Sequence, residues 1–332
     1  MKYSAYVALA ATLAFLAGCS GTPQTQSGFS SLQTLPGVRD NARVGPTTSG
    51  GLTQLVNLDY SNGSITVFSV QNGRATQTAT FTPANGLAQG LAVDKNDRIY
   101  TTITSSTSKP CAACVEIFTS AGQLVKMLEA PILQGASGAP ALTDVALDEH
   151  TNVYVSDYGQ QAVYYFPHAR KTHGGPTSVV QNSQNAASVL SIPSGATVVV
   201  SGGCGFASVR PYTRVSNGHY TSGTCFGIGT IALIGGAADA QIDVMTPVDG
   251  APGLVSVSSP SGGNVFHTPD QRFAEISGVA FNGDASVAYV ADHKKEAVYA
   301  FARPSNGWLS GQPKHIATYK GFKNLDIIAV PQ

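Results

Sequence analysis

Three aspartates open short apolar runs at intervals along the chain: Asp144 begins DVALD, Asp243 begins DVMT and Asp326 begins DIIAV. The same position in the intervening runs holds Gly90, Ser188 and Gly278, so carboxylates alternate with small residues. Three carboxylates brought together would suit a hard cation such as Ca²⁺, which takes oxygen ligands. The same residues would equally serve as acceptors for backbone N–H groups, a habit of Asp at turns. Both readings stand on the sequence. A second set, Asp59, Asp157 and Asp292, closes β-patterned runs just before polar turns and reads as turn-forming. Tyr158 and His293 follow two of these and are candidate ligand contacts. No two of the seven histidines share a repeat position or the i, i+4 spacing of a helical metal pair. GxSxG, P-loop and HExxH motifs are absent from the sequence.

The chain has five cysteines. Cys111 and Cys114 form CAAC, while Cys204 and Cys225 flank a single β-patterned stretch. Three pairings of these four are possible. Local pairing is the economical one, and closing the loop from Cys204 to Cys225 would contribute about 3 kcal/mol by the chain-entropy argument. A redox role for CAAC would need a helix N-terminus to lower the thiol pKa, and no helix is expected there. A four-cysteine zinc site would have to join segments far apart in the repeat order.

The elements that must position these residues are short strands. The chain holds 36 Gly and 18 Pro, and no helical stretch rich in Ala, Glu, Lys and Leu competes. NLDYSNGSITVF, VSDYGQQAVYYF and VADHKKEAVYAF align without gaps, ending at Phe68, Phe166 and Phe301. RIYTTI with VEIF, ATVVVSGG with SVRPY, and GLVSVSS with GNVFH supply weaker copies ending near Phe118, Tyr212 and Phe266. That makes six units of about 47 residues, a spacing suited to four-stranded propeller blades. The innermost strands are expected at GLAVD, DVALD, SVLSI, DVMT and GVAFN. The first unit lacks one, and Asp326–Val330 supplies the pattern, so the C-terminal strand is expected to close the ring. The expected fold is all-β, a six-bladed propeller over residues 52–332.

Composition narrows the function classes. Lys+Arg and Asp+Glu number 19 each and charged residues make up only 11%, so there is no electrostatic footprint for nucleic acid. The N-terminus has Lys2, an apolar run from Tyr6 to Ala17 and then Leu16-Ala17-Gly18-Cys19. A run this short before small residues reads as a cleaved export signal. LAGC resembles the lipobox of bacterial lipoproteins, which implies a signal peptide over residues 1–18 and lipidation of Cys19. Ser20, where some such lipoproteins carry Asp, implies transfer to the outer membrane, facing the periplasm or the surface. Residues 19–51 are rich in Ser, Thr, Gln, Gly and Pro and read as a flexible tether.

GLAVDKNDRIYTT, DVALDEHTNVYVSDYGQQAVYYF and GVAFNGDASVAYVADHKKEAVYAF resemble NHL-type and related propeller repeats. The resemblance implies fold more than activity, since such propellers serve as hydrolases, lyases and binding platforms. The gluconolactonase and regucalcin type uses a Glu in its first blade with later Asn and Asp ligands, and no comparable Glu precedes the first strands here. The streptogramin lyase type relies on channel-face histidines, and none pair here. The expected function is therefore a lipid-anchored, non-catalytic binding or scaffolding module, monomeric, held to the membrane by its lipid and engaging a protein or small-molecule ligand. No cofactor is expected beyond a possible Ca²⁺. The alternative is a metal-dependent hydrolase of lactonase type using Asp144, Asp243 and Asp326.

Overall fold

The computed structural model describes residues 51–104, 113–130, 138–167, 177–180, 186, 188–201, 208–216, 219–228, 236–247, 255–266, 273–309 and 312–332. The expected signal peptide and lipidation site Cys19, all of the tether except Gly51, and Cys111 and Cys204 lie outside the described residues. Among those described, every regular element is a β-strand, and no helix is long and apolar enough to cross a membrane.

The strands follow one another as antiparallel meanders. The first meander is β1 (Gln54–Asp59), β2 (Ser64–Gln71) and β3 (Arg74–Phe81). The second is β4 (Leu87–Val93), β5 (Ile99–Thr104), β6 (Ala113–Phe118) and β7 (Leu124–Glu129). The third is β8 (Leu142–Leu147), β9 (Val153–Asp157), β10 (Ala162–Phe166) and β11 (Thr177–Val180). The fourth is β12 (Val189–Ser191), β13 (Thr197–Ser201), β14 (Ser208–Ser216) and β15 (His219–Ser222), with the short β16 (Phe226–Gly227) added to β14. The fifth is β17 (Ala237–Ala238), β18 (Val244–Pro247), β19 (Val255–Ser259) and β20 (Gly262–Phe266). The last is β21 (Ile276–Phe281), β22 (Val287–Asp292), β23 (Ala297–Ala302) and β24 (Lys314–Lys320).

The final strand, β25 (Ile327–Ala329), returns to the beginning of the chain. It pairs antiparallel with β1, Val56 opposite Ala329 and Leu58 opposite Ile327, and so completes the first meander as its innermost strand. One parallel bridge, Lys320 to Arg74, links the outer strands of the last and first meanders into an eight-stranded sheet.

Strand position dictates composition. The middle strands are covered on both faces: VYVSD in β9 and AVYYF in β10 are buried throughout. Valine and aromatic side chains fill such doubly covered strands well. Outer strands meet solvent, so RATQTATF in β3 is mostly exposed or half-buried. The hydrophobic clusters lie between successive meanders. Val56, Leu58 and Ile65 of the first pack against Leu91, Ile99 and Cys114 of the second. Further clusters join second to third, third to fourth, fourth to fifth and fifth to sixth. The series returns to its start where Leu55 and Phe68 meet Tyr289 and Val298. At the middle is a cavity of about 90 Å³, lined by β4, β8, β12, β17, β21 and β25 with the residues beside them, one inner strand from each meander.

The hairpins between first and second strands share one device. Asp94 Oδ1 accepts the N–H of Asn96 (2.8 Å) and Arg98 (3.1 Å), and Asp148 Oδ1 accepts those of His150 and Asn152 (both 2.9 Å). Asp239 Oδ1 does the same for Gln241 (2.9 Å) and Asp243 (3.0 Å). The residue three beyond each, Asp97, Thr151 and Ile242, takes a left-handed conformation (φ 59°, 63° and 64°).

That device corrects the expected register of the fifth unit. DVMT was expected as its innermost strand, but Asp239 is the hairpin aspartate, so the innermost strand is the Ala237–Ala238 pair before it and DVMT falls in and just before β18, the second strand. GLVSVSS, expected second, contains the third strand, and GNVFH, expected third, contains the fourth. Phe273–Glu275 lead directly into β21. This inner strand is silent in the sequence because alanine carries none of the β-branched signal that marks the others.

Candidate functional site

In each meander the start of the inner strand and the loop from second to third strand lie at the same end. Three inner strands bulge near their start at this end: β4 between Ala88 and Leu91, β8 between Leu142 and Asp144, β21 between Ile276 and Gly278. A bulge re-aims the side chains that follow it. Here it sets Gly90, Asp144 and Gly278 at the mouth.

The glycine on the inner strand before each of Asp144 and Asp326 has a steric cause. A Cβ on Gly90 would lie 2.6 Å from Asp144 Cα and 2.8 Å from Val145 N. A Cβ on Gly278 would lie 2.7 Å from the Asp326 carbonyl oxygen. Each glycine therefore lets the next aspartate-bearing inner strand close in.

Asp144 is 7% exposed. Its Oδ1 accepts the N–H of Val145 at 2.9 Å and its Oδ2 that of Val189, in the neighbouring inner strand, at 3.2 Å. Burial pushes its carboxyl up to about 7, with these two N–H donors opposing the shift.

Asp326 donates its own N–H to Asn57 Oδ1 (2.7 Å), and its Oδ2 accepts the Tyr60 N–H (3.0 Å). Burial raises its pKa, opposed by the Tyr60 N–H, reinforced by Asp59 and opposed again by His293. The Tyr60 phenol is also raised, first by burial and then by the charges of Asp144 and Asp326. Both carboxylates therefore act on one hydroxyl.

Tyr60 is 43% exposed and Tyr158 is 51% exposed. They occupy the same repeat position, as does His293: each follows the aspartate that ends a second strand. Tyr158 donates its N–H to Ala141 O (3.0 Å), and His293 donates its N–H to Glu275 O (2.8 Å). His293 Nδ1 lies 2.6 Å from Leu325 O, one residue from Asp326. Leu87, 52% exposed, flanks the Tyr60 loop, with its Cα and Cδ2 both 3.3 Å from where a Cβ on Gly63 would sit. Tyr60 was not singled out in the sequence, although the alignment that equates Asp59 with Asp157 and Asp292 places it opposite Tyr158 and His293.

Those three aspartates hold turns. Asp157 Oδ1 accepts Ala141 N and Gln160 N, and Asp292 accepts Ala274 N, Glu275 N and Lys295 N. Asp59 accepts Ser61 N, Ser61 Oγ and Asn62 Nδ2.

Asp243 does not join Asp144 and Asp326. The corrected register puts it in the hairpin between first and second strands, at the opposite end of the cavity. There it accepts the backbone N–H groups of Leu309 and Trp308. Burial and the charge of Asp239 raise its pKa, against those bonds and Arg303. All three aspartates thus accept backbone N–H groups, and among the described residues no three His, Cys, Asp or Glu side chains are grouped to hold a metal ion.

Two further polar groups stand apart from the mouth. Glu116 in β6 is fully buried and accepts Asn85 Nδ2 through Oε1, while Oε2 has no hydrogen-bond partner; burial raises its pKa. Of the described cysteines, Cys114 is buried in β6, and Cys225 receives a bond from Arg210 Nε at 3.1 Å.

No family model matches the chain, and no curated protein does. Solved structures do. The chain is similar to one in the crystal structure of a nidogen/laminin complex, with 14% identity, 85% of this chain and 99% of that chain covered, and a TM-score of 0.54. It is more distantly similar to the β-propeller domain of Myceliophteria thermophila Cps50 (Swd1), at 8% identity over 72% of this chain and 73% of that one, TM-score 0.47. A periplasmic gluconolactonase of Pseudomonas aeruginosa, PpgL, has 12% identity over 80% and 79%, TM-score 0.48. At such identities the likeness concerns fold and is silent on activity. With its meanders packed in a returning series around a central cavity, the fold is a β-propeller.

Proposed function

We propose that the protein is a six-bladed propeller, lipid-anchored at Cys19 to the outer membrane, that acts as a non-catalytic binding or scaffolding module. The blade count is supported by the six inner strands around one cavity. The NHL-like character and the anchor rest on the sequence resemblances alone. Local disulfides, Cys111 with Cys114 and Cys204 with Cys225, belong to the same reading; neither Cys114 nor Cys225 is a free thiol.

One observation carries the binding function: Tyr60 and Tyr158, at equivalent loop positions on one face, are both about half exposed beside the mouth that holds Asp144 and Asp326. Aromatic side chains with a polar tip are enriched at recognition surfaces. The lactonase-type alternative loses support because Asp243, one of its three carboxylates, lies at the other end.

The test is capture from envelope extract by the purified protein, with and without Tyr60→Ala and Tyr158→Ala, alongside esterase and lactonase assays in Ca²⁺ or Mn²⁺. Capture that both variants weaken, without turnover, is the expected result. Metal-dependent turnover lost in Asp144→Asn would overturn it. Fractionation of Cys19→Ala tests the anchor, which predicts release into the soluble fraction.

A further inference from the structure

Glu116, in the third strand of the second blade, is a fully buried carboxyl group set among apolar side chains. Cys114 and Phe118, on the same face of β6, pack with Val56, Leu58 and Ile65 of the first blade. Its cross-strand partners are Thr101 in β5 and Met127 in β7, and the Thr101 hydroxyl is already donated to Gly90 O at 2.7 Å. Glu116 Oε1 accepts one bond, from Asn85 Nδ2, and Oε2 has no hydrogen-bond partner. Burying a carboxyl group on one neutral donor costs stability, which an apolar side chain of that volume would not. A local rule broken at such a cost points to function more than to packing.

Asn85 leads from this group to the Tyr60 face. It lies in the connection between β3 and β4, two residues before Leu87. The turn that carries Tyr60 sits directly on the start of β4: a Cβ on Gly63 would lie 2.9 Å from Ala88 N and 3.3 Å from Leu87 Cα. Gly63 itself is left-handed, at φ 70°, and its N–H closes the turn on Asp59 O at 2.8 Å. On the other side Asp326 Oδ2 accepts the Tyr60 N–H. The turn therefore rests on Asp326, just before the closing strand, and on the start of β4, whose approach Asn85 ties into the second blade.

We propose that Glu116 is a positioning residue for this face: through Asn85 it fixes the connection 82–86, and with it the seat of the Tyr60 turn. It touches no ligand itself. The proposal rests on the reading of the Tyr60 face as the binding surface, and its test uses ligand-free protein, so the order of the loops and the capture of a partner can fail separately.

The experiment is amide hydrogen exchange, with melting curves, on the wild type, Glu116→Leu and Glu116→Gln. Glu116→Leu removes the acceptor and is expected to speed exchange at residues 60–63 and 85–88 by about tenfold, the scale of one lost hydrogen bond, with the other blades unchanged and the melting temperature no lower. Glu116→Gln keeps an oxygen for Asn85 and is expected to exchange like the wild type. Unchanged exchange at residues 60–63 in Glu116→Leu overturns the proposal. So does faster exchange spread over every blade with a lower melting temperature, the mark of a purely structural role. Should Glu116→Leu not fold, Asn85→Ala at its half-buried position decides instead: the same two segments must loosen while the rest of the chain keeps its exchange, and any other pattern overturns the proposal.

Discussion

The Asp144 carboxylate in β8 accepts the backbone N–H of Val189 in β12 at 3.2 Å, so one side chain ties the third blade to the fourth at the channel mouth. Removing the side chain strands two buried N–H groups, those of Val145 and Val189. Asp144→Ala is therefore expected to be less stable than Asp144→Asn, which keeps an acceptor oxygen and has no proton to lose, by about 1 to 2 kcal/mol. Urea melts followed by far-UV circular dichroism check the ranking; equal losses would mean the hydrogen bonds are not what the site contributes.

Gly90 and Gly278 are predicted to be intolerant of a single methyl group. The obstacles, Asp144 Cα at 2.6 Å and Asp326 O at 2.7 Å, are backbone atoms that cannot rotate aside. Gly90→Ala and Gly278→Ala should each cost about 3 kcal/mol or lose soluble expression. Gly263→Ala is the control, because its nearest neighbours would be 3.7 Å away, an ordinary contact. Three similar melting curves would show that the mouth relaxes.

Much of this was legible before the structure, and the exceptions have physical reasons. Repeats with β-branched middle strands announced themselves: VYVSD, AVYYF and VAYVAD fall in strands where expected. So did the closing strand, since the first blade visibly lacked one. The fifth blade misled because its inner strand is two alanines, and the register slip carried Asp243 to the wrong end of the channel. The alternation of Asp with Gly was visible, but its cause, one strand's backbone filling the space of the other's Cβ, depends on bulges that leave no sequence signal. Tyr60 is legible in the repeat alignment as the neighbour of Asp59, at the position of Tyr158 and His293.

Asp243 and Asp326 should now part company in their effects. Asp243 anchors the loop that carries Trp308, through the N–H groups of Trp308 and Leu309. Asp243→Ala should lower the melting temperature and red-shift tryptophan emission while leaving capture at the Tyr60 face intact. Asp326→Ala removes the acceptor for the Tyr60 N–H, 3.0 Å away, and should weaken capture with little change in emission. If both variants weakened capture equally at unchanged stability, the two aspartates would share a site after all.

Trp308, the chain's single tryptophan, sits in the last meander and packs in the cluster that joins it to the fifth, and that makes ring closure measurable. It is 1% exposed, stacked on Phe281 with centroids 5.3 Å apart, and donates Nε1–H to Ala285 O at 3.1 Å. The closing strand β25 belongs to the first blade, where Ile327 and Ala329 pack with β1 and Ile328 and Val330 pack with the last blade. Deleting residues 327–332 exposes the edge of β1 and opens the hydrophobic seam between first and last blades. In a ring whose blades support one another, that loss spreads: tryptophan emission should red-shift, and the fluorescence and circular dichroism transitions should move together to much lower denaturant, with aggregation from the open edge. If the first blade merely frays, Trp308 keeps its buried emission and its original midpoint while circular dichroism loses a small early fraction. That outcome would mean each blade stands largely alone and the C-terminal strand covers an edge without holding the ring.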